Sequence, residues 1–241
     1  MSPFLAFPAL WLGLLAGGQH AVQGPDHFAG VAPFAAQSGR SAWRVGIAWG
    51  FGHASGAAAA ACMALILRAW IPGVEEHLSN VSDRIVGVLL CFVGALGLRA
   101  ALQARVDERL HAHGGVVHAH MHFRPFAFLE RRGKNSAQQH NHDQRKQDQH
   151  RHSACVLGLF HGAGGLSHIF AVLPALGFPG VALPALYLAG YAVGSLVLIT
   201  AFATGVGHIA PTGRLHWQRR VMIAASALSV GVGLVWIVHP L

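Results

Sequence analysis

Charge is confined to short intervals of this chain, and the gaps between them are long. No Lys, Arg, Asp or Glu occurs between Arg44 and Arg68, between Arg84 and Arg99, between Arg151 and Arg214, or after Arg220. Ahead of Arg40 the only charged side chain is Asp26. A helix crossing about 30 Å of hydrocarbon needs roughly 20 apolar residues, and several of these gaps supply them. Charged residues make up 11% of the 241 and hydrophobic ones 53%, against roughly 25% charged in a soluble globular chain. Disorder is excluded by the apolar content, and a disulfide framework by only three cysteines, Cys62, Cys91 and Cys155, with no CxxC pair. In or beside apolar runs, these thiols read as small buried hydrophobes.

Five runs are long enough to span: residues 43–68, 85–98 with an extension through 104, 154–177, 181–207 and 221–238. The amino-terminal run, residues 3–36, is also apolar but is interrupted by Gly24-Pro25-Asp26-His27. A cleavable signal would carry a basic leader, and the first Lys or Arg is Arg40. This run is therefore expected to be a first membrane helix, broken near Pro25. The expected fold is all-α: a polytopic membrane protein of six transmembrane helices.

In that arrangement fifteen of the seventeen Lys and Arg residues fall on one side, leaving Arg68 and Arg84 opposite with Glu75, Glu76 and Asp83. The positive-inside rule puts the rich side in the cytoplasm and both termini outside. The formal charge of +8 then reports orientation, and nucleic acid is not an expected partner. The expected setting is a bacterial-type plasma membrane. Residues 105–153 form the one long polar connection, holding nine of the eighteen histidines. Its second half, residues 133–149, lacks apolar periodicity and is expected to be disordered.

Comparison of the chain with itself reveals a duplication. His20, Gly24, His27, Val31 and Pro33 recur as His161, Gly165, His168, Val172 and Pro174, so both segments read HxxxGxxHxxxVxP. Two fainter echoes follow in order: Gly52-His53 with Gly56 parallels Gly190-Tyr191 with Gly194, and Arg84 with Gly97-Leu98 parallels Arg220 with Gly233-Leu234. Residues 1–104 and 154–241 are thus expected to be two three-helix repeats. An odd number of spans per repeat inverts one relative to the other. Inverted repeats are a transporter architecture in which interrupted helices meet at a midplane site. The interruptions fall at Gly24-Pro25 and at Gly162 with Gly164-Gly165, giving each repeat a broken first helix. Asp26 is expected to cap the restarted half-helix.

On a continuous helix His20 and His27 would share a face about 10.5 Å apart along the axis, with Gly24 as a notch between them. His161, Gly165 and His168 repeat the layout. Bringing both faces together places four imidazoles beside Asp26, the only acid expected within a span. A carboxylate in hydrocarbon is costly unless paired, and so marks function. Imidazole with an oxygen donor suits divalent nickel or cobalt, while a proton relay would use the same residues. His53, flanked by Gly52 and Gly56 in a small-xxx-small pattern, is a further candidate ligand. In the polar connection His118, His120 and His122, with other alternating histidines, are candidates for loose, exchangeable metal binding. His208, His216 and His239 fall at span ends and read as interfacial anchors.

These residues also carry a resemblance. GQHAVQGPDHFAGVAP, WGFGHASG, GLFHGAGGLSHIFAVLP and LYLAGYAVGS resemble the nickel/cobalt transporter superfamily, and within it the urease-accessory-protein-H-like membrane proteins. The likeness covers nearly everything except the His-rich connection. The family's signature is His, four residues, Asp and His. His20, Asp26 and His27 match it with one extra intervening residue. The resemblance implies transport of nickel or cobalt as cargo, with no resident cofactor. A related group exports sulfite or organosulfonates.

With neither an HExxH nor a Walker A motif, the expectation is a non-enzymatic secondary transporter for a divalent transition metal, driven by a gradient. His20, Asp26, His27, His161 and His168 would form its site. The bilayer, the ion and a cytoplasmic metallochaperone would be its partners. Two rival readings are an exporter of a small oxyanion such as sulfite, and a non-transporting metal-binding accessory protein for metalloenzyme maturation.

Overall fold

A computed structural model describes residues 3–68, 74–103, 111–113, 116–118, 139–164, 173–210 and 215–239. Its helices are α1 (Pro3–Gln23), α2 (Pro25–Ser38), α3 (Ala42–Arg68), α4 (Val74–Gln103), α5 (Gln139–Gly164), α6 (Ala182–Ile209) and α7 (Leu215–Val238). Short 3-10 turns lie at Gly39–Ser41 and Leu173–Gly177. The only strands among the described residues are β1 (His111–His113) and β2 (Val116–His118), an antiparallel pair.

The protein is all-α in its framework, and among the described residues four helices are long and apolar enough to cross a membrane. Their spans are Leu5–Gln23, Asp83–Leu102, Ala182–Ile209 and His216–Val238. Large apolar side chains, among them Phe7, Trp11, Phe51, Phe92, Val197 and Leu234, stand exposed on these and neighbouring helices. A surface this rich in exposed large hydrophobes suits hydrocarbon better than water. Of the six expected spans, the four do not include α3 and α5. The described part of α5 begins with a polar stretch.

The first break is sharper than a kink. At Gly24 the backbone leaves the helix (φ −89°, ψ 95°), and Pro25 starts a new helix at its first position, where its missing N–H costs nothing. With 21 residues, α1 reaches about 31 Å and has a spanning length by itself. The 14-residue α2 reaches about 21 Å, and Ala29 through Ala36 along it are buried. This short helix packs against α3, α4, α6 and α7, so it forms the centre of the molecule. Ala21, Val31, Phe34, Val45, Trp49 and Ile199 form the core around it.

Three helix pairs make the framework: α1 with α6, α3 with α5, and α4 with α7. Glycines set their closeness. A Cβ at Gly13 or Gly17 would run into the backbone of Tyr187 or Tyr191. One at Gly190 or Gly194 would meet Leu10 or Leu14, so α1 and α6 ascend in parallel. Likewise Gly52 and Gly56 lie against the backbone at Cys155 and Leu159, while Gly158 and Gly162 lie against Trp49 and His53, which makes α3 and α5 parallel. In the third pair Gly87 and Gly233 face each other's carbonyls and Gly94 faces Ser226, so α4 and α7 are antiparallel. Ser229 Oγ donates to Leu90 O at 2.9 Å across that seam. Cys91 and Cys155 are free and only partly buried.

Two sequence expectations need correcting here. Residues 139–149, expected to be disordered, belong to α5. No Gly or Pro interrupts the chain from Asn135 to Leu157, and extending an existing helix costs little compared with nucleating one. Asp83, expected outside the spans, begins the apolar span of α4 and is 1% exposed. Asp26 is therefore not the only acid within a span. Burial of Asp83 follows from tertiary packing, which charge counting does not see.

Candidate metal centre

The site forms where the α1–α2 break meets the middle of α3 and the carboxyl end of α5. His20 lies on the last turn of α1, Asp26 and His27 on the first turn of α2, His53 within α3 and His161 on the last turn of α5. Asp26, His27, His53 and His161 are all at most 3% exposed, and His20 is half-buried.

The break closes the distance that a continuous helix would keep open. The His20 and His27 ring centroids are 4.7 Å apart, so the 10.5 Å axial separation expected of an unbroken helix does not apply. His53 lies 4.7 Å from His27 and 6.2 Å from His20, and His161 lies 5.2 Å from His27 and 5.6 Å from His53. A Cβ at Gly24 would overlap the His27 imidazole and come within 2.6 Å of Asp26 Oδ1. Glycine is needed here for that close approach, since its φ of −89° is open to any residue.

Asp26 organises the imidazoles on either side of it. His161 Nε2 lies 3.0 Å from Oδ2, and His27 Nδ1 lies 3.2 Å from Oδ1 and 3.1 Å from Gly24 O. A proton on His27 Nδ1 has Gly24 O to face, and one on His161 Nε2 would lie beside the Asp26 carboxylate. His27 then presents Nε2, and His161 presents Nδ1, as lone-pair donors. No protein group bonds His161 Nδ1. This is how carboxylates orient ligating histidines from behind. The cap expected of Asp26 does not form: the cap position is Gly24, with no side-chain bond, and Asp26 lies inside the first turn. Its negative charge still favours that helix end.

Two sets of donors have ligand atoms within 4.8 Å of one another: His20, His27 and His53, and Asp26, His27 and His161. Bonds of about 2.0–2.1 Å to a single ion bring donor atoms within roughly 4.2 Å of each other, so either set needs only a small closing movement. The chemistry on offer is neutral nitrogen donors with one carboxylate, suited to nickel, cobalt or zinc.

Of the residues expected at the site, His20, Asp26, His27, His53 and His161 come together. His168, His120 and His122 lie outside the described residues, and His118 lies on β2. Two further residues reach the cluster. Tyr191 on α6 stands 5.6 Å from the His20 ring, and Trp49, wholly buried on α3, stands 5.7 Å from His161. The signal for Tyr191 was the glycine-flanked echo of His53. For Trp49 it was its place four residues before His53, on the same helix face.

No protein-family model matches the chain, and no solved structure matches it. It is similar to two Arabidopsis thaliana proteins, Chloroplast protein FOR GROWTH AND FERTILITY 1, 25% identical over 243 residues, and Chloroplast protein FOR GROWTH AND FERTILITY 2, 24% identical over 238. Each comparison covers 95% of this chain but only 59% and 55% of the relatives, so the chain spans a little over half the length of the curated proteins it matches.

Proposed function

We propose that the chain is a secondary membrane transporter for a divalent transition-metal ion, nickel or cobalt, which passes through the His20, Asp26, His27, His53 and His161 cluster. The observation that carries this reading is the convergence of four imidazoles, three of them buried, around His27 at a helix break, with the Asp26 carboxylate against two of them. Ions shed water only where other donors replace it, and broken helices supply such donors within membranes. The resemblance to the nickel/cobalt superfamily in the motifs quoted above points the same way.

Six spans in two inverted repeats are part of the proposal, and the helix pairing supports them. Exchanging the halves sends α1 to α5, α3 to α6 and α4 to α7. The pair α1–α6 then becomes α5–α3, both parallel, and α4–α7 maps onto itself, antiparallel, as an inverted repeat requires. The fifteen-to-two bias of basic residues would put the His-rich connection in the cytoplasm of a bacterial-type plasma membrane. There it could exchange ions with a metallochaperone. The names of the relatives give a chloroplast setting and a part in growth and fertility, and name no substrate.

An oxyanion site at the α2 amino terminus is disfavoured by Asp26, which places negative charge on that end. The test is flux of radiolabelled nickel and cobalt into proteoliposomes holding the full chain, beside His27→Ala and His53→Ala. Metal flux that both variants abolish is expected. Sulfite flux without metal flux would overturn the reading. Deleting residues 105–138, which spares α5, should leave flux in place; metal binding by the full chain without any flux would favour an accessory role.

A further inference from the structure

Tyr191 is the one aromatic hydroxyl at the cluster, and its surroundings fix it in place. A Cβ at Gly17 would collide with the Tyr191 backbone, so α1 and α6 touch at this level. Ser195 Oγ lies 3.0 Å from both Gly17 O and Tyr191 O, tying the same two turns together. The ring is 7% exposed and stands 5.6 Å from His20. With its backbone clamped, the side chain has little freedom to leave.

The hydroxyl itself bonds no protein atom. Burying a hydroxyl without a partner is costly, and replacing it by hydrogen would remove that cost with little change of shape. Trp49 Nε1, on the other aromatic side chain at the cluster, is likewise buried without a protein acceptor. Two hydrogen-bond donors thus border a group of lone-pair nitrogens. Nitrogens bind the cation, whereas a hydroxyl or an indole N–H is suited to an oxygen that the cation carries. The repeat sharpens the point, because Tyr191 occupies the second-half position that His53 holds in the first. One half offers an imidazole there and the other a phenol.

We infer that Tyr191 holds a water of the bound cation by hydrogen bonding, so that the site accepts a partly hydrated divalent ion and does not strip it to protein ligands alone. This rests on the metal reading above and adds the coordination state of the cargo. His20, His27 and His53 bind the ion, and the phenol retains one water on it. Nickel and cobalt, which favour five or six ligands with mixed nitrogen and oxygen donors, suit such a site better than an ion content with four.

The test is titration of the purified full chain with cobalt(II), read by visible absorption and by affinity, for the wild type, Tyr191→Phe and Tyr191→His. The wild type should show the weak bands of five- or six-coordinate cobalt. Tyr191→Phe should bind about tenfold more weakly, as loss of one hydrogen bond implies, with bands gaining the intensity of four-coordinate cobalt. Tyr191→His should recover affinity with a nitrogen-rich spectrum. An unchanged affinity and spectrum in Tyr191→Phe would overturn the role of Tyr191 while leaving metal binding intact. A wild type that binds neither cobalt nor nickel would overturn the metal reading and this inference with it.

Discussion

Among the described residues, the first half of the chain brings His20, Asp26, His27, His53 and Trp49 to the centre, and the second brings His161 and Tyr191. The helix pairing is nearly interchangeable between the halves, yet the chemistry is not. Only the first half has an acid beside its second motif histidine, since Ser167 stands where Asp26 would recur. His53 likewise meets Tyr191 at its counterpart position. Duplication explains where the groups sit, and divergence explains what they do. Asp26 reaches across to His161, so one carboxylate orients an imidazole from each half.

The largest effect should come from removing that shared group. Asp26→Asn keeps the shape but loses the charge facing His27 and His161. Loss of such an outer carboxylate typically costs 10–100-fold in metal affinity, and more where it is also a ligand. Nickel flux should fall at least about 100-fold while the thermal unfolding temperature stays near that of the wild type. Normal flux in this variant would mean that the halves act alike and that the single acid is incidental.

Next in size, Gly24→Ala forces His27 and Asp26 to move, and cobalt affinity should drop about tenfold, in line with the loss expected when ligand orientation is disturbed. Gly162→Val tests the framework along with the site that it holds. Its added carbons meet the His53 backbone, and overpacking of this kind costs about 1–3 kcal/mol, to be read as a lower unfolding temperature in detergent. The smallest effect belongs to Gly205 on α6, which has nothing within 4 Å of an added Cβ. Gly205→Ala should stabilise α6 by about 0.5–1 kcal/mol without altering flux. If Gly162 and Gly205 respond alike, the glycine contacts between halves do not hold the pairs together.

Much of this site was legible because chemistry that is expensive in a membrane stands out in sequence. His20, Asp26, His27 and His161 were visible from spacing and rarity alone. What spacing misjudged was distance, because Gly24 ends one helix and Pro25 begins another. His53 could be placed beside a glycine stripe, but only the packing of α3 against α5 turned it toward the cluster. Tyr191 escaped notice because a phenol among apolar residues looks like ordinary core. Asp83 escaped because a charge at a span edge is normally solvated. The early start of α5 at Gln139 was hidden for another reason: a polar helix without an apolar stripe has no periodicity to detect.

The glycine-to-carbonyl packing also bears on how the chain is made. Each close pair except α2's neighbours joins a helix from before the His-rich connection to one from after it, so α1, α3 and α4 leave the ribosome before their partners exist. Until α5, α6 and α7 arrive, the flat faces of Gly13, Gly17, Gly52, Gly56 and Gly87 and the polar cluster at the α2 start have only lipid, or an insertase, to face. Assembly of this protein is therefore a late, all-together event, and an amino-terminal half produced alone should be degraded unless the carboxy-terminal half is supplied beside it.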